Sequence, residues 1–187
     1  MDTKLVVGLA GMPGAGKSVV VGVAREKNYT IVVMGEIVRE EARRRGLNPN
    51  PQNLGKIMLE LREKEGPAVI SKRCIPNIMR VKGDKIMIDG IRSLKEVEEF
   101  KKHLSNFTLV AIHSSPETRF ARLHKRGRSD DSNNLETFHQ RDVRELSVGL
   151  GNAIAMAEHM IVNDTSLAAV KEKAIRILTR IEEKWMK

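Results

Sequence analysis

The sequence is poor in three things, and each absence excludes something. Aromatic residues make up only 3% of its 187 positions, too few for the stacking surfaces that grip single-stranded nucleic acid. Cysteine occurs once, as Cys74. No internal disulfide can form, no cysteine-built zinc lid can be assembled, and a reducing, cytoplasmic setting is expected. No apolar run approaches the ~18 residues that a membrane span needs. Met1 to Leu5 lacks the shape of a signal peptide, because strand-like chain follows at once, so no membrane partner is expected.

What is abundant is positive charge. Lys and Arg number 33 against 24 Asp and Glu, a net +9, and such an excess suggests an anionic partner, either nucleic acid or nucleotide phosphate. Several arginines cluster between Arg119 and Arg128, followed by Arg141 and Arg144, as a polyphosphate site would need. For Arg43, Arg44, Arg45 and the Lys-rich C-terminus, a solvated face is the preferred reading. The hydrophobic fraction of 41% suffices for a core, and the length suits one domain spanning 1–187 with small insertions.

The chain is organised around Gly11, Met12, Pro13, Gly14, Ala15, Gly16, Lys17 and Ser18, the G-x-x-x-x-G-K-[ST] phosphate loop. Triphosphate oxygens need several converging donors. Backbone N–H groups supply them where glycines allow a tight bend into a helix start. In this motif Lys17 reaches the β/γ-phosphates and the Ser18 hydroxyl ligates Mg²⁺. The flanks agree, with an apolar strand over Leu5–Ala10 and a helix from Lys17 to Lys27.

Further on, a short strand at Thr30–Met34 is followed by a wholly helical excursion. Its helices are expected at Gly35–Arg45, Gln52–Lys64 and Ala68–Arg80, with Pro67 at a first helical position and Pro76 as a kink or early end. Strands at Lys85–Asp89 and Thr108–His113 come next, separated by a helix at Leu94–His103. Helices are expected at Pro116–Arg126 and Leu135–Leu146. A break at Gly149–Gly151, a strand at His159–Val162 and a helix at Leu167–Trp185 complete the chain. Alternation of strands with helices predicts a parallel α/β sheet.

The strand ending in Asp89 has the Walker-B form, in which the carboxylate holds Mg²⁺ or its water. His113, His124 and His139 form no metal or triad pattern. Four further segments stand out. Asp89, Gly90 and Arg92 share with a D-G-x-x-R segment the apolar strand, the Asp and Gly, and an Arg, here three residues after the Asp. Gly35, Glu36 and Arg39 spell G-D-x-x-R with Glu in place of Asp. Arg122, Leu123 and Arg126 spell R-L-x-x-R, and Arg128, Asp130 and Asp131 spell R-x-D-D, with Arg141 beyond. Together with the phosphate loop, this set resembles the nucleoside monophosphate kinases of the adenylate-kinase-related group. The His159–Leu167 stretch resembles the end of the sheet in adenylate and dephospho-coenzyme A kinases. The whole sequence is also similar to an archaeal group of adenylate-kinase-related P-loop proteins, a match that runs to the C-terminus but carries less functional information.

The resemblance implies a three-layer α/β P-loop NTPase fold with a five-stranded parallel sheet of order 2-3-1-4-5. It also implies a helical acceptor-binding region over 35–80 and a short lid over 119–131. The implied activity is ATP- and Mg²⁺-dependent phosphoryl transfer to a small nucleotide, AMP first and dephospho-coenzyme A second. Gly11 to Ser18, Arg122 and Asn163 would bind ATP; Gly35, Arg39, Asp89, Gly90 and Arg92 would bind the acceptor. Lys17, Arg92, Arg126, Arg128 and Arg141 would be catalytic, with Ser18 and Asp89 at the metal. Some readings stay open. Each arginine could instead form a surface salt bridge, with Glu96, Glu117 or Glu145 as partner. Asn163 and Asp164 could cap the terminal helix. Asp130 and Asp131 could touch ribose or, as preferred, cap the helix near Leu135. A regulatory or nucleic-acid-associated ATPase is the rival of a different class, supported by the net charge and the Arg43–Arg45 run.

Overall fold

The computed structural model describes residues 4–127 and 134–186. Among them five strands form one all-parallel sheet: β1 (Leu5–Ala10), β2 (Thr30–Val33), β3 (Lys85–Ile91), β4 (Asn106–His113) and β5 (His159–Val162). The order is β2-β3-β1-β4-β5, as the resemblance implied. The helices are α1 (Lys17–Glu26), α2 (Gly35–Arg44), α3 (Pro51–Glu65), α4 (Val69–Arg80), α5 (Leu94–His103), α6 (Pro116–Arg126), α7 (Leu135–Val148), α8 (Leu150–Ala155) and α9 (Leu167–Trp185).

Three layers follow from the period of β1. Every residue of this central strand is buried, as expected when helices cover both faces of a parallel sheet. Val6 and Ala10 join the apolar cluster beneath α2 to α5 and α8. Leu5, Val7 and Leu9 join the cluster beneath α1 and α9. In α9, Val170, Ala174, Leu178 and Ile181 lie at helical spacing and are buried, and Ser166 starts the helix by accepting from Ala169 N–H.

Three expectations need correction. Pro76 neither ends α4 nor divides it, since the helix runs through to Arg80. Pro76 and Lys72, whose carbonyl it leaves without an amide partner, are both exposed, while Ile70, Cys74 and Ile78 hold the opposite face in the core. Pro67 is not the first helical residue; Ala68 is the cap and Val69 begins α4. The expected break at Gly149–Gly151 contains a helix. Gly149, at φ 107°, closes α7 and opens α8, whose Leu150 and Ala153 are buried one turn apart.

One irregularity bears on function. Leu9 pairs with Asp89 but Ala10 pairs with Ile91, so Gly90 is an extra residue bulged out of β3. Bulges re-aim neighbouring side chains and recur beside active sites. This one lies at the carboxyl end of the sheet, where open α/β sheets bind their ligands.

Candidate active site

The phosphate loop leaves β1 and enters α1 through Gly16, whose φ of 98° suits glycine. A Cβ at Gly16 would also stand 2.1 Å from Asn163 Nδ2. The helices α3, α5, α6, α7 and α9 start with Ser or Asn side-chain caps. Helix α1 does not and has no acidic residue in its first turn, so no side chain competes with an anion for its leading N–H groups. Lys17 Nζ donates to Gly11 O at 2.6 Å. Burial lowers the Lys17 pKa to about 8, against the opposing charge of Asp89 and then with Arg92; Glu145 raises it and Arg141 lowers it more weakly. Lys17, Asp89, Arg92 and Arg141 therefore share one electrostatic neighbourhood, as the motifs implied.

Two arginines of α6 are spent on building this loop. Arg119 is 3% exposed. It donates through Nη1 to Asp142 Oδ1 at 2.9 Å and to Pro13 O at 3.1 Å, and through Nη2 to Asp142 Oδ2. Its guanidinium also lies over the Phe138 ring, 4.9 Å from the centroid. Arg122 donates to Ser114 Oγ at 2.8 Å and to Asn163 O at 2.9 Å, and Asn163 Nδ2 donates to Ala15 O at 2.8 Å. Asn163 is thus a tie from the end of β5 to the phosphate loop. It does not cap α9, because Ser166 does, and Asp164 accepts from Ser115 N–H instead. Arg126 ends α6 on an exposed turn. Arg128, Asp130, Asp131 and the end of the 119–131 segment lie outside the described residues. The cap of α7 is Asn134, whose Oδ1 accepts from Thr137 N–H at 2.8 Å.

Beside the loop, α2, α3, β3 and α7 enclose a cavity of ≈ 490 Å³. Gly35, Gly90, Arg39, Arg92 and Arg141 line it, which brings together acceptor-side residues named from separate motifs. Arg62 and Arg144 also line it, and no motif marked either. Several of these guanidinium groups lean on carboxylates. Arg39 pairs with Glu36 at 2.6 Å, Arg62 with the fully buried Glu96 at 2.6 Å, and Arg92 with Glu145 at 3.1 Å. Arg92 forms the salt bridge with Glu145 and also lines the cavity.

Asp89 fits a hard cation. Its Oδ1 is sealed from solvent with no hydrogen-bond partner. Burial pushes its carboxyl upward, opposed by Lys17, Arg92 and Arg25. Among the described residues no three His, Cys, Asp or Glu side chains form a metal cluster. Mg²⁺ does not require one, because it is commonly held by one carboxylate with phosphate and water oxygens; Ser18, exposed in the first turn of α1, adds a hydroxyl. Cys74 is buried, which raises its thiol to about 12, and so it is structural.

The basic run 43–45 is committed elsewhere. Glu41, 4% exposed, accepts from Arg44 at 2.8 Å and Arg45 at 2.7 Å. These contacts hold its carboxyl near 2, well below the usual range. Arg45 also pairs with Glu60 at 2.7 Å, and Arg43 lies 3.7 Å from Glu36. Arg45 thereby ties α2 to α3, while Arg43 and Arg44 pair within α2 and keep side chains 61% and 74% exposed.

A family model described as an AAA domain matches residues 10–139. A UPF0200 protein of Hyperthermus butylicus is 46% identical over 178 residues, covering 95% of each chain. Another, from Methanothermobacter thermautotrophicus, is 40% identical over 180 residues, covering 96% of this chain and 92% of that one. The crystal structure of TT1252 from Thermus thermophilus superposes with a TM-score of 0.67 at 16% identity, covering 95% of this chain and 97% of the other. Shikimate kinase from Acinetobacter baumannii, in complex with shikimate, gives 0.58 at 18% identity, covering 100% and 97%. These structural likenesses are ones of fold, and the fold is that of P-loop kinases. No helix among the described residues is long and apolar enough to cross a membrane.

Proposed function

This chain belongs to the UPF0200 family and, over residues 10–139, to the AAA-domain family, and on that footing we propose that it is a phosphotransferase. It moves the γ-phosphoryl group of ATP to a small nucleotide acceptor, with AMP as first choice. The observation that carries this reading is the arginine-lined cavity, whose Arg92 and Arg141 lie in the electrostatic field of Lys17. Two polyanions can approach each other only where positive charge is already fixed, so catalysis here is positioning and neutralisation.

Lys17 donates to the carbonyls of its own loop and would move to the β/γ-phosphates of ATP. Ser18 and Asp89 would hold Mg²⁺, which would supply neutralisation of the phosphate charge. Arg39 and Arg92 would grip the acceptor phosphate, Arg92 exchanging Glu145 for it. Arg126, Arg128 and Arg141 would surround the transferring group. Arg122, tied to Asn163, would fix the backbone that borders the ATP base. An acceptor phosphate is already an anionic nucleophile, and no general base is needed.

The test is a product assay. Purified protein with Mg-ATP is offered AMP, CMP, UMP, GMP and dephospho-coenzyme A, with Arg92→Ala as control. A diphosphate should form from one monophosphate, and its rate should drop about 10²–10³-fold in the variant, the loss expected for one transition-state donor. Coenzyme A as sole product would move the assignment to a dephospho-coenzyme A kinase. Slow ATP hydrolysis indifferent to every acceptor would overturn both.

A further inference from the structure

Within the cavity, Arg144 differs from its neighbours. Arg39, Arg62 and Arg92 each lean on a carboxylate, whereas Arg144 forms no ion pair among the described residues. Its Nε, like that of Arg62, is sealed from solvent and has no hydrogen-bond partner, but no carboxylate of the described residues holds the rest of its guanidinium, which is left to serve a ligand in the cavity. The backbone of α3 fixes where it points. Gly55 stands inside α3, where glycine is a poor choice for a helix. A Cβ at that position would come within 3.2 Å of Arg144 Nη1 and 3.5 Å of its Cζ. The missing side chain lets the guanidinium lie against α3. Gln52, one turn earlier on α3, faces the same cavity.

The place matters as much as the charge. Arg141 is one of the two cavity arginines whose charge bears on Lys17, and Arg144 follows it by one turn along α7, on the order of 4.5 Å further. Building on the phosphotransferase reading, we propose that Arg144, seated on Gly55 and assisted by Gln52, is a second anion subsite. The preferred acceptor then carries two separated anionic groups. One receives the phosphoryl group near Arg92 and Arg141; the other, a phosphate or a carboxylate, is read by Arg144. Arginine suits either, because its planar fork binds both bidentately.

The experiment measures binding by calorimetry to the full chain, without ATP, and separately measures turnover with Mg-ATP. Three probes differ only in the second group: AMP, adenosine 3′,5′-bisphosphate with a sugar phosphate, and adenylosuccinate with carboxylates on the base. One of the two doubly anionic probes should bind at least about tenfold tighter than AMP. Arg144→Ala should weaken that probe about 10- to 100-fold, the range of a lost charge-assisted hydrogen bond, and AMP by about threefold or less. Arg144→Lys should restore part of the affinity. Gly55→Ala gives a second check independent of Arg144 folding effects. The helix gains an alanine, so Tm should rise by about 2–4 °C, while the doubly anionic probe binds more weakly because the guanidinium, 3.2 Å from the new Cβ, must shift along α3. Equal affinity for all three probes, or equal losses on all three in Arg144→Ala, overturns the subsite; turnover of AMP in that case leaves the phosphotransferase reading standing. Absence of both binding and turnover for every probe overturns the two together.

Discussion

Helices α6 and α7 each carry a pair of arginines three residues apart, Arg119 with Arg122 and Arg141 with Arg144. The two pairs do opposite work. On α6 the guanidinium donors are consumed by protein acceptors: Asp142, Pro13 O, Ser114 and Asn163. On α7 they line a cavity, and one of them has a buried nitrogen with no partner. An arginine near a phosphate loop is therefore not a phosphate ligand by residue type alone. What separates the two pairs is whether the guanidinium groups turn to the phosphate loop and its supports or to the cavity. The two helices are also linked, because the acceptor of Arg119 is Asp142, the immediate neighbour of Arg141 on α7.

The largest effect that would sharpen this contrast is on Arg119→Ala. Removing one partner of a buried pair leaves Asp142, 9% exposed, without its counter-charge, which costs about 3–5 kcal/mol. Tm in a calorimetric scan should fall by about 10 °C. Arg119→Lys should recover little, since an ammonium cannot serve two carboxylate oxygens and Pro13 O in one plane. An unchanged Tm with abolished turnover would make Arg119 a binder and erase the distinction between the helices.

Lys17 tests the same contrast on the donor side, through pH. Its folded, ligand-free pKa of about 8 lies below the ordinary 10.5 because of burial, so burying its charge costs stability at pH values below 8. That cost is relieved as pH rises from about 8 towards 10.5. A bound triphosphate favours the charged form, and ATP binding near pH 8 must therefore take up protons. Titration calorimetry in two buffers of different ionisation enthalpy should report about half a proton gained at pH 8. Affinity should fall by up to about tenfold per pH unit above it. Lys17→Met should keep or raise Tm at pH 7 while losing ATP. No proton uptake would mean that Lys17 is already charged and spent on Gly11 O, a builder like Arg119.

Much of this was legible in the sequence because it rests on local rules. The loop Gly11–Ser18 is a run of backbone requirements. The strands are apolar because both sheet faces are covered, and the order of motifs gave the sheet order by resemblance. Arg39, Arg92 and Arg141, named from separate motifs, all line one cavity. The parts that were not legible rest on long-range pairing. Nothing near Arg119 announces an acid 23 residues on. Arg144 shows in the sequence only as a member of the arginine-rich stretch running on from Arg119, and Arg62 not at all; the fold brings both to the cavity. A faint signal existed in Gly55, a glycine inside an otherwise regular helical pattern, which asks for a close neighbour. Helix α8 was hidden because Gly149 and Gly151 read as breakers. One is a left-handed cap, and the other sits inside the helix that follows it.

The smallest effect concerns Glu36, which stands where the resembling kinases have Asp. Its pair with Arg39 spans one turn at 2.6 Å, but the side chains are 51% and 43% exposed. Exposed pairs are worth about 0.2–1 kcal/mol, so Glu36→Gln should leave Tm unchanged within about 2 °C. Its effect on the acceptor is expected in the opposite direction to that of removing an acceptor ligand. Glu36 competes with an acceptor phosphate for the same guanidinium, and deleting it should lower the acceptor KM by about twofold, an effect of the size of a weak exposed pair. The contrasting pair is Arg92–Glu145, where the carboxylate is only 5% exposed. There, loss of the acid strands a cavity arginine, and the competition is inseparable from structure. A tenfold rise in KM on Glu36→Gln would mean that the carboxylate touches the acceptor itself. The replacement of Asp by Glu would then be a specificity change, with the longer side chain reaching into the cavity.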